Sequence, residues 1–137
     1  MLKRHDELAP CGVYCGACPS FGKTCLGCAS ESREQKRTSK WTCGIRRCCY
    51  DAKKLDYCIE CDEFPCRTYR AKLLKSHVGD PRFRYRHEIP KIFPKLLKDG
   101  VEEFLRHQAE RWSCPRCGGR VLFYLYECSR CKDRIEI

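Results

Sequence analysis

CPRCGGRVLFYLYECSRC, residues 114–131, is the stretch on which the reading of this chain turns. Cys114 and Cys117 form one C-x-x-C pair, and Cys128 and Cys131 form another. Each such turn lets two thiolates reach one ion while backbone N–H groups point at the sulfurs. Gly118 and Gly119 supply the tight turn, and Val121–Glu127 is rich in β-formers and short enough for a hairpin. Two pairs make the tetrahedral four-sulfur set that structural Zn²⁺ prefers, with no position left for a substrate. The spacing therefore predicts a zinc ribbon over 113–137, with Cys114, Cys117, Cys128 and Cys131 as ligands. A redox C-x-x-C needs only one pair and sits beside a βαβ pattern, which this sequence lacks.

The rest of the chain has a related need for metal. Of its 137 residues, 42% are hydrophobic, but that share includes 15 cysteines, and the mean hydropathy is −0.61. A core this thin offsets conformational entropy poorly, and small domains in that position add disulfides or metals. The N-terminus, MLKRHDELAPC, has no apolar run resembling a signal peptide, and the longest apolar run is Val121–Tyr126. The expectation is a cytoplasmic chain with reduced thiols, no membrane span and metal in preference to disulfides.

The formal charge of +10 shrinks once cysteines bind metal as thiolates, because a Zn²⁺ in four thiolates is a net anion. Residues 1–66 hold 11 basic and 9 acidic groups, 67–111 hold 12 and 6, and 112–137 hold 5 and 3. With two four-thiolate sites in the first segment and one in the last, the basic character belongs to the middle. Arg82-Phe83-Arg84-Tyr85-Arg86 alternates cations and aromatics there, a pattern suited to gripping phosphates and stacking on bases. It is the candidate nucleic-acid contact. The competing reading is a helix start with Phe83 and Tyr85 packed inward. His5, His77, His87 and His107 lie outside the cysteine clusters and read as surface or capping residues.

The middle segment has no cysteines and reads as helical. Asp62–Glu63 followed by Pro65 predicts a helix start, running to about Ser76 and burying Tyr69 with Leu73 or Leu74. Ile89, Ile92, Phe93, Leu96 and Leu97 form a stripe at helical spacing, interrupted by Pro90 and Pro94, where a kink or late start is expected. Asp99–Gly100 ends it, and Val101, Phe104, Leu105 and Trp112 line one side of a second helix. Upstream, Ile45–Leu55 reads as a helix and Ser30–Lys40 as an exposed loop.

Eleven cysteines fall before residue 67. Cys11, Cys15, Cys18, Cys25, Cys28, Cys43, Cys48, Cys58, Cys61 and Cys66 are candidate ligands, enough for two four-sulfur sites whose pairing spacing alone leaves open. Cys49 is the spare, since neighbours on a helix point about 100° apart. Cys18-Pro19 also echoes the Cys-Pro of bacterial ferredoxins, so an iron–sulfur cluster is the alternative occupant. CGVYCGACP (11–19), CLGC (25–28), CGIRRC (43–48) and CIECDEFPC (58–66) resemble, in order, the uncharacterised prokaryotic family called domain of unknown function 3795. That resemblance implies metal binding by these cysteines and supplies no activity. Where many members carry a further cysteine, this chain has Lys40.

The expected fold is thus small α+β and metal-stabilised. It comprises a Cys-rich module (1–66), a helical segment packed on it (67–112) and the ribbon (113–137), with about three Zn²⁺ in total. The expected role is a binding or scaffold module for nucleic acid or protein. The alternative is an iron–sulfur redox or sensor protein. No catalytic triad, phosphate loop or H-E-x-x-H motif argues for an enzyme.

Overall fold

The computed structural model describes residues 2–137. Up to Cys43 the backbone is turns, single bridges and two short 3-10 helices, Cys15–Ala17 and Ser39–Thr42, as a stretch dense in Cys, Gly and Pro without apolar periodicity should be. Helix α1, Gly44–Arg47, runs on through a wider π turn at Cys48–Ala52. It stops short of the expected Leu55 because Lys54 takes the left-handed conformation at φ 57°. Helix α2, Arg67–Tyr69, likewise widens into a π turn at Arg70–Leu74. It starts later than the acidic pair suggested. Phe64 leaves the helical path to pack edge-on against Tyr69 and Phe93, with ring centroids 4.7 and 5.6 Å away. Tyr69 and Leu73 are buried, and Leu74 is half-buried.

The predicted interruption of the apolar stripe separates two helices, α3 at Arg84–Ile92 and α4 at Pro94–Asp99. Pro94 opens α4, where its missing N–H is not needed. Pro90 lies inside α3, so the carbonyl of Arg86 lacks its usual partner one turn on. Gly100 separates α4 from α5, Val101–Arg111. Ile89, Phe93 and Leu96 are fully buried, whereas Leu97 is 56% exposed and takes no part in the core.

After α5 a short antiparallel hairpin pairs β1, Val121–Leu122, with β2, Glu127–Cys128, in the register Val121↔Cys128 and Leu122↔Glu127. Tyr124 and Tyr126 carry the turn at φ 70° and 50°. The molecule is therefore a small mixed structure of short helices and one minimal sheet. A single apolar cluster draws on all three sequence segments: Leu8, Tyr14 and Tyr57 from the first, Tyr85, Phe93 and Phe104 from the second, Phe123 and Tyr126 from the third. Tyr85 lies at its centre, stacked on Phe123 at 5.1 Å and edge-on to Trp112 at 5.0 Å. Aromatic pairs of this kind add about 0.5–1.5 kcal/mol each beyond area burial, which matters in so small a core. Among the described residues, no helix is long and apolar enough to cross a membrane.

Candidate metal centres

The hairpin brings the two C-terminal Cys pairs face to face. The Sγ atoms of Cys114, Cys117, Cys128 and Cys131 all lie within 4.8 Å of one another. Cys114 and Cys131 are 3.8 Å apart, Cys117 and Cys128 3.5 Å. Three backbone amides donate to the sulfurs, each at 3.4 Å: Arg116 to Cys114, Gly119 to Cys117 and Arg130 to Cys128. The amides of Cys131 and Arg130 help bring the Cys128 thiol down to about 6. The two glycines act differently. Gly118 adopts φ 76°, which a side chain resists. At Gly119 a Cβ would fall 2.8 Å from the Cys128 sulfur. Four thiolates at these separations can enclose a single metal ion.

The N-terminal cysteines are arranged otherwise. All fifteen cysteines are free thiols, with no disulfide formed. Among the described residues, no three from the first 66 converge as the C-terminal four do. Instead Cys11, Cys15, Cys18, Cys25, Cys28 and Cys43 line one cavity of about 350 Å³. Contact with Cys15 lowers the Cys28 thiol to about 6, assisted by Arg37, Lys40 and Arg46, while Cys15 rises in return. Burial pushes Cys11 up to about 12. Of the remaining candidates, Cys58 touches buried Cys49 and lies near Cys11 and Cys66, and Cys48 and Cys61 neighbour Lys53. Cys66 packs with Tyr69 and Leu73.

Sequence reasoning missed the cations around the cavity. Lys72 Nζ lies 3.1 Å from Cys43 Sγ, and an Arg37 guanidinium nitrogen 4.0 Å from Cys18 Sγ. The segment read as an exposed loop is in part buried. Lys40 is 4% exposed and donates to the Gly27 carbonyl at 2.5 Å, and Gln35 accepts from the amide of Leu26 at 2.7 Å. The loop folds over the Cys25–Cys28 turn because its polar groups satisfy that turn's backbone. Arg46, on α1, reaches the Cys28 carbonyl at 2.7 Å from the other side.

The Arg82–Arg86 strip does not form a common surface. Tyr85 is buried, and its hydroxyl accepts a hydrogen bond from the Tyr14 amide at 2.8 Å, which leaves no face for a base. Phe83 stacks on His77 and leans on Tyr124. Arg82 pairs with Asp80, and Arg84 with Glu136 while lying over Tyr126. Only Arg86 turns toward the cysteines, donating to the Tyr124 hydroxyl at 2.6 Å on the cavity wall. His87 contacts the Ser76 carbonyl, and His5 accepts from the amide of Glu7.

No curated protein and no solved structure matches the chain. The resemblance carried by the cysteine motifs is borne out over the segment that contains all six cavity cysteines: residues 7–71 match the family described as a protein of unknown function, DUF3795.

Proposed function

We propose that this is a zinc-stabilised metal-binding protein, in which the C-terminal four-cysteine site serves structure and the six-cysteine cavity is the working end. The observation that carries this reading is the convergence of four Sγ atoms within 4.8 Å. Tetrahedral zinc with bonds of about 2.3 Å has sulfur–sulfur edges of about 3.8 Å. The separations of 3.8 and 3.5 Å across the two pairs lie close to that edge. Soft thiolates favour zinc or iron, and four protein ligands leave no coordination position for a substrate. Such a site supports a binding or scaffold role better than catalysis.

What the zinc fastens follows from its neighbours. Trp112 precedes the first ligand by two residues, and Phe123 lies between the pairs; both pack on Tyr85. Metal binding there contributes folding free energy, because the site does not exist in the unfolded chain. The test uses the full chain. Metal analysis should find zinc, Co²⁺ substitution should give a tetrahedral thiolate spectrum, and Cys117→Ser should abolish it. A thermal midpoint that is the same in excess zinc and in strong chelator would end the structural reading.

A further inference from the structure

The molecule holds two kinds of cysteine assembly, and the contrast between them is informative. At the C-terminal site four sulfurs gather around the space of one ion. Around the N-terminal cavity six sulfurs are more dispersed: Cys15 touches Cys28, but no three lie within 4.8 Å of one another. They come from four separate pieces of backbone: the turn at Cys11, the turn at Cys15–Cys18, the loop Cys25–Cys28 and Cys43 at the start of α1. The cavity has a volume of about 350 Å³ and is partly open to solvent. At about 30 Å³ per water that is roughly ten water-sized volumes. An ion clasped by thiolates at about 2.3 Å needs no such room. A cluster of irons and sulfides does, because it offers its metal atoms at outer corners and so draws ligands that are spread apart.

The rest of the wall suits an anionic, sulfur-rich guest. Five cations border it: Arg37, Lys40, Arg46, Lys72 and Arg86. Two of them approach thiol sulfurs directly, Lys72 at Cys43 and Arg37 at Cys18, and the Gly27 amide donates to Cys25 Sγ at 3.4 Å. Donors and positive charge aimed at ligand sulfurs offset the negative charge of a thiolate-bound cluster and tune its potential. Between these groups the wall is largely apolar and includes Ile45, Leu73 and Phe123.

We propose that this cavity binds an iron–sulfur cluster of the four-iron, four-sulfide class, held by four of its six cysteines. The assignment gives the working end of the preceding section its occupant. It rests on different cysteines from the zinc site, so either centre can be lost while the other remains.

The test is anaerobic purification of the full chain, with reconstitution by ferrous iron and sulfide where needed. The expected result is a brown protein with about four iron and four sulfide atoms per chain in addition to zinc, and a paramagnetic signal on reduction. Changing Cys11, Cys15 and Cys28 together to serine leaves three cavity thiols. Iron and sulfide should be lost and zinc retained. Lys72→Met removes a charge beside Cys43 without removing a ligand, and is the control should the triple variant fail to fold. It should keep its iron and lower the midpoint potential, since a nearby cation stabilises the more negative reduced state. A reconstituted chain that stays colourless and iron-free would overturn the proposal. So would a triple variant with its full iron content, or a Lys72→Met potential identical to the parent's. A cluster-loaded chain lacking zinc would refute only the zinc reading.

Discussion

Gly119→Ala offers a test of whether the four-cysteine site is built to metal dimensions. A methyl group at residue 119 would lie 2.8 Å from Cys128 Sγ, 2.9 Å from Arg130 Cβ and 3.3 Å from Cys117 Sγ. Comfortable non-bonded separation is about 3.5–4.0 Å, so Cys128 Sγ must retreat by about 0.7–1.2 Å. Metal–ligand distances tolerate only about ±0.2 Å, several times less than that displacement. Cys117, the residue across the turn, cannot take up the difference, because it is crowded by the same methyl. Disturbing the groups that orient metal ligands costs about 10–100-fold in affinity, and that is the loss expected here. The assay is competition for zinc against a colorimetric chelator, with the Co²⁺ spectrum reporting geometry. Gly118→Ala is the matched control. Its φ is 76°, but nothing lies within 4 Å of the new methyl. It should cost about 1–2 kcal/mol of stability through left-handed strain and leave the Co²⁺ spectrum unchanged. Equal zinc affinity for Gly119→Ala and the parent would show that the crowding does not constrain the site.

Three further outcomes follow from buried contacts. Tyr85→Phe should cost about 1–3 kcal/mol in denaturant titration, because the Tyr14 amide loses its acceptor inside the core while the ring volume is kept. Gly27→Ala should prevent the N-terminal segment from closing, since its Cβ would meet the Asp6 carbonyl oxygen at 1.9 Å, whereas Gly22→Ala, at similar φ in open space, should fold; circular dichroism and proteolysis would separate the two. Acid should weaken the metal-free hairpin: the Cys128 thiol is depressed from an ordinary 9.0 to about 6, so its contribution is full above pH 9, declines steadily as pH falls from 9 and is gone below about 6. A stability profile flat between pH 8 and pH 5 in chelator would refute that linkage.

The sequence made the C-terminal site legible because its ligands are local: two short turns and a hairpin bring all four sulfurs together within eighteen residues. The cavity was not legible, because it closes through distant partners. Cys11 and Cys43 are distant in sequence yet line the same cavity, and Lys72 and Arg86 join it from the π turn after α2 and from α3. Lys40 sits in a polar segment without periodicity, and nothing in its neighbours marks it as buried. Tyr85 was different, since the information was present. It stands four residues before Ile89 and seven before Ile92, the spacing of one helix face. The alternation of cations and aromatics at 82–86 masked a stripe that extends one turn further toward the N-terminus. The late start of α2 goes with a tertiary contact: Phe64 packs edge-on against Tyr69 and Phe93, which local sequence signals do not encode.

The two centres are joined by more than proximity in the chain. Between its ligand pairs the hairpin presents Phe123 and Tyr124, and both form part of the cavity wall. The Phe123 amide donates to the Ala17 carbonyl at 3.1 Å, between Cys15 and Cys18. Arg86 holds the Tyr124 hydroxyl, and Tyr85, the preceding residue, stacks on Phe123. A thin core cannot fix so many loops by burial alone. An ion held by Cys114, Cys117, Cys128 and Cys131 would pin the hairpin's two strands at their base. The aromatic pair at its tip is thereby set against the turn that carries Cys15 and Cys18. With an ion bound, the four-cysteine cluster would thus position one wall of the six-cysteine cavity.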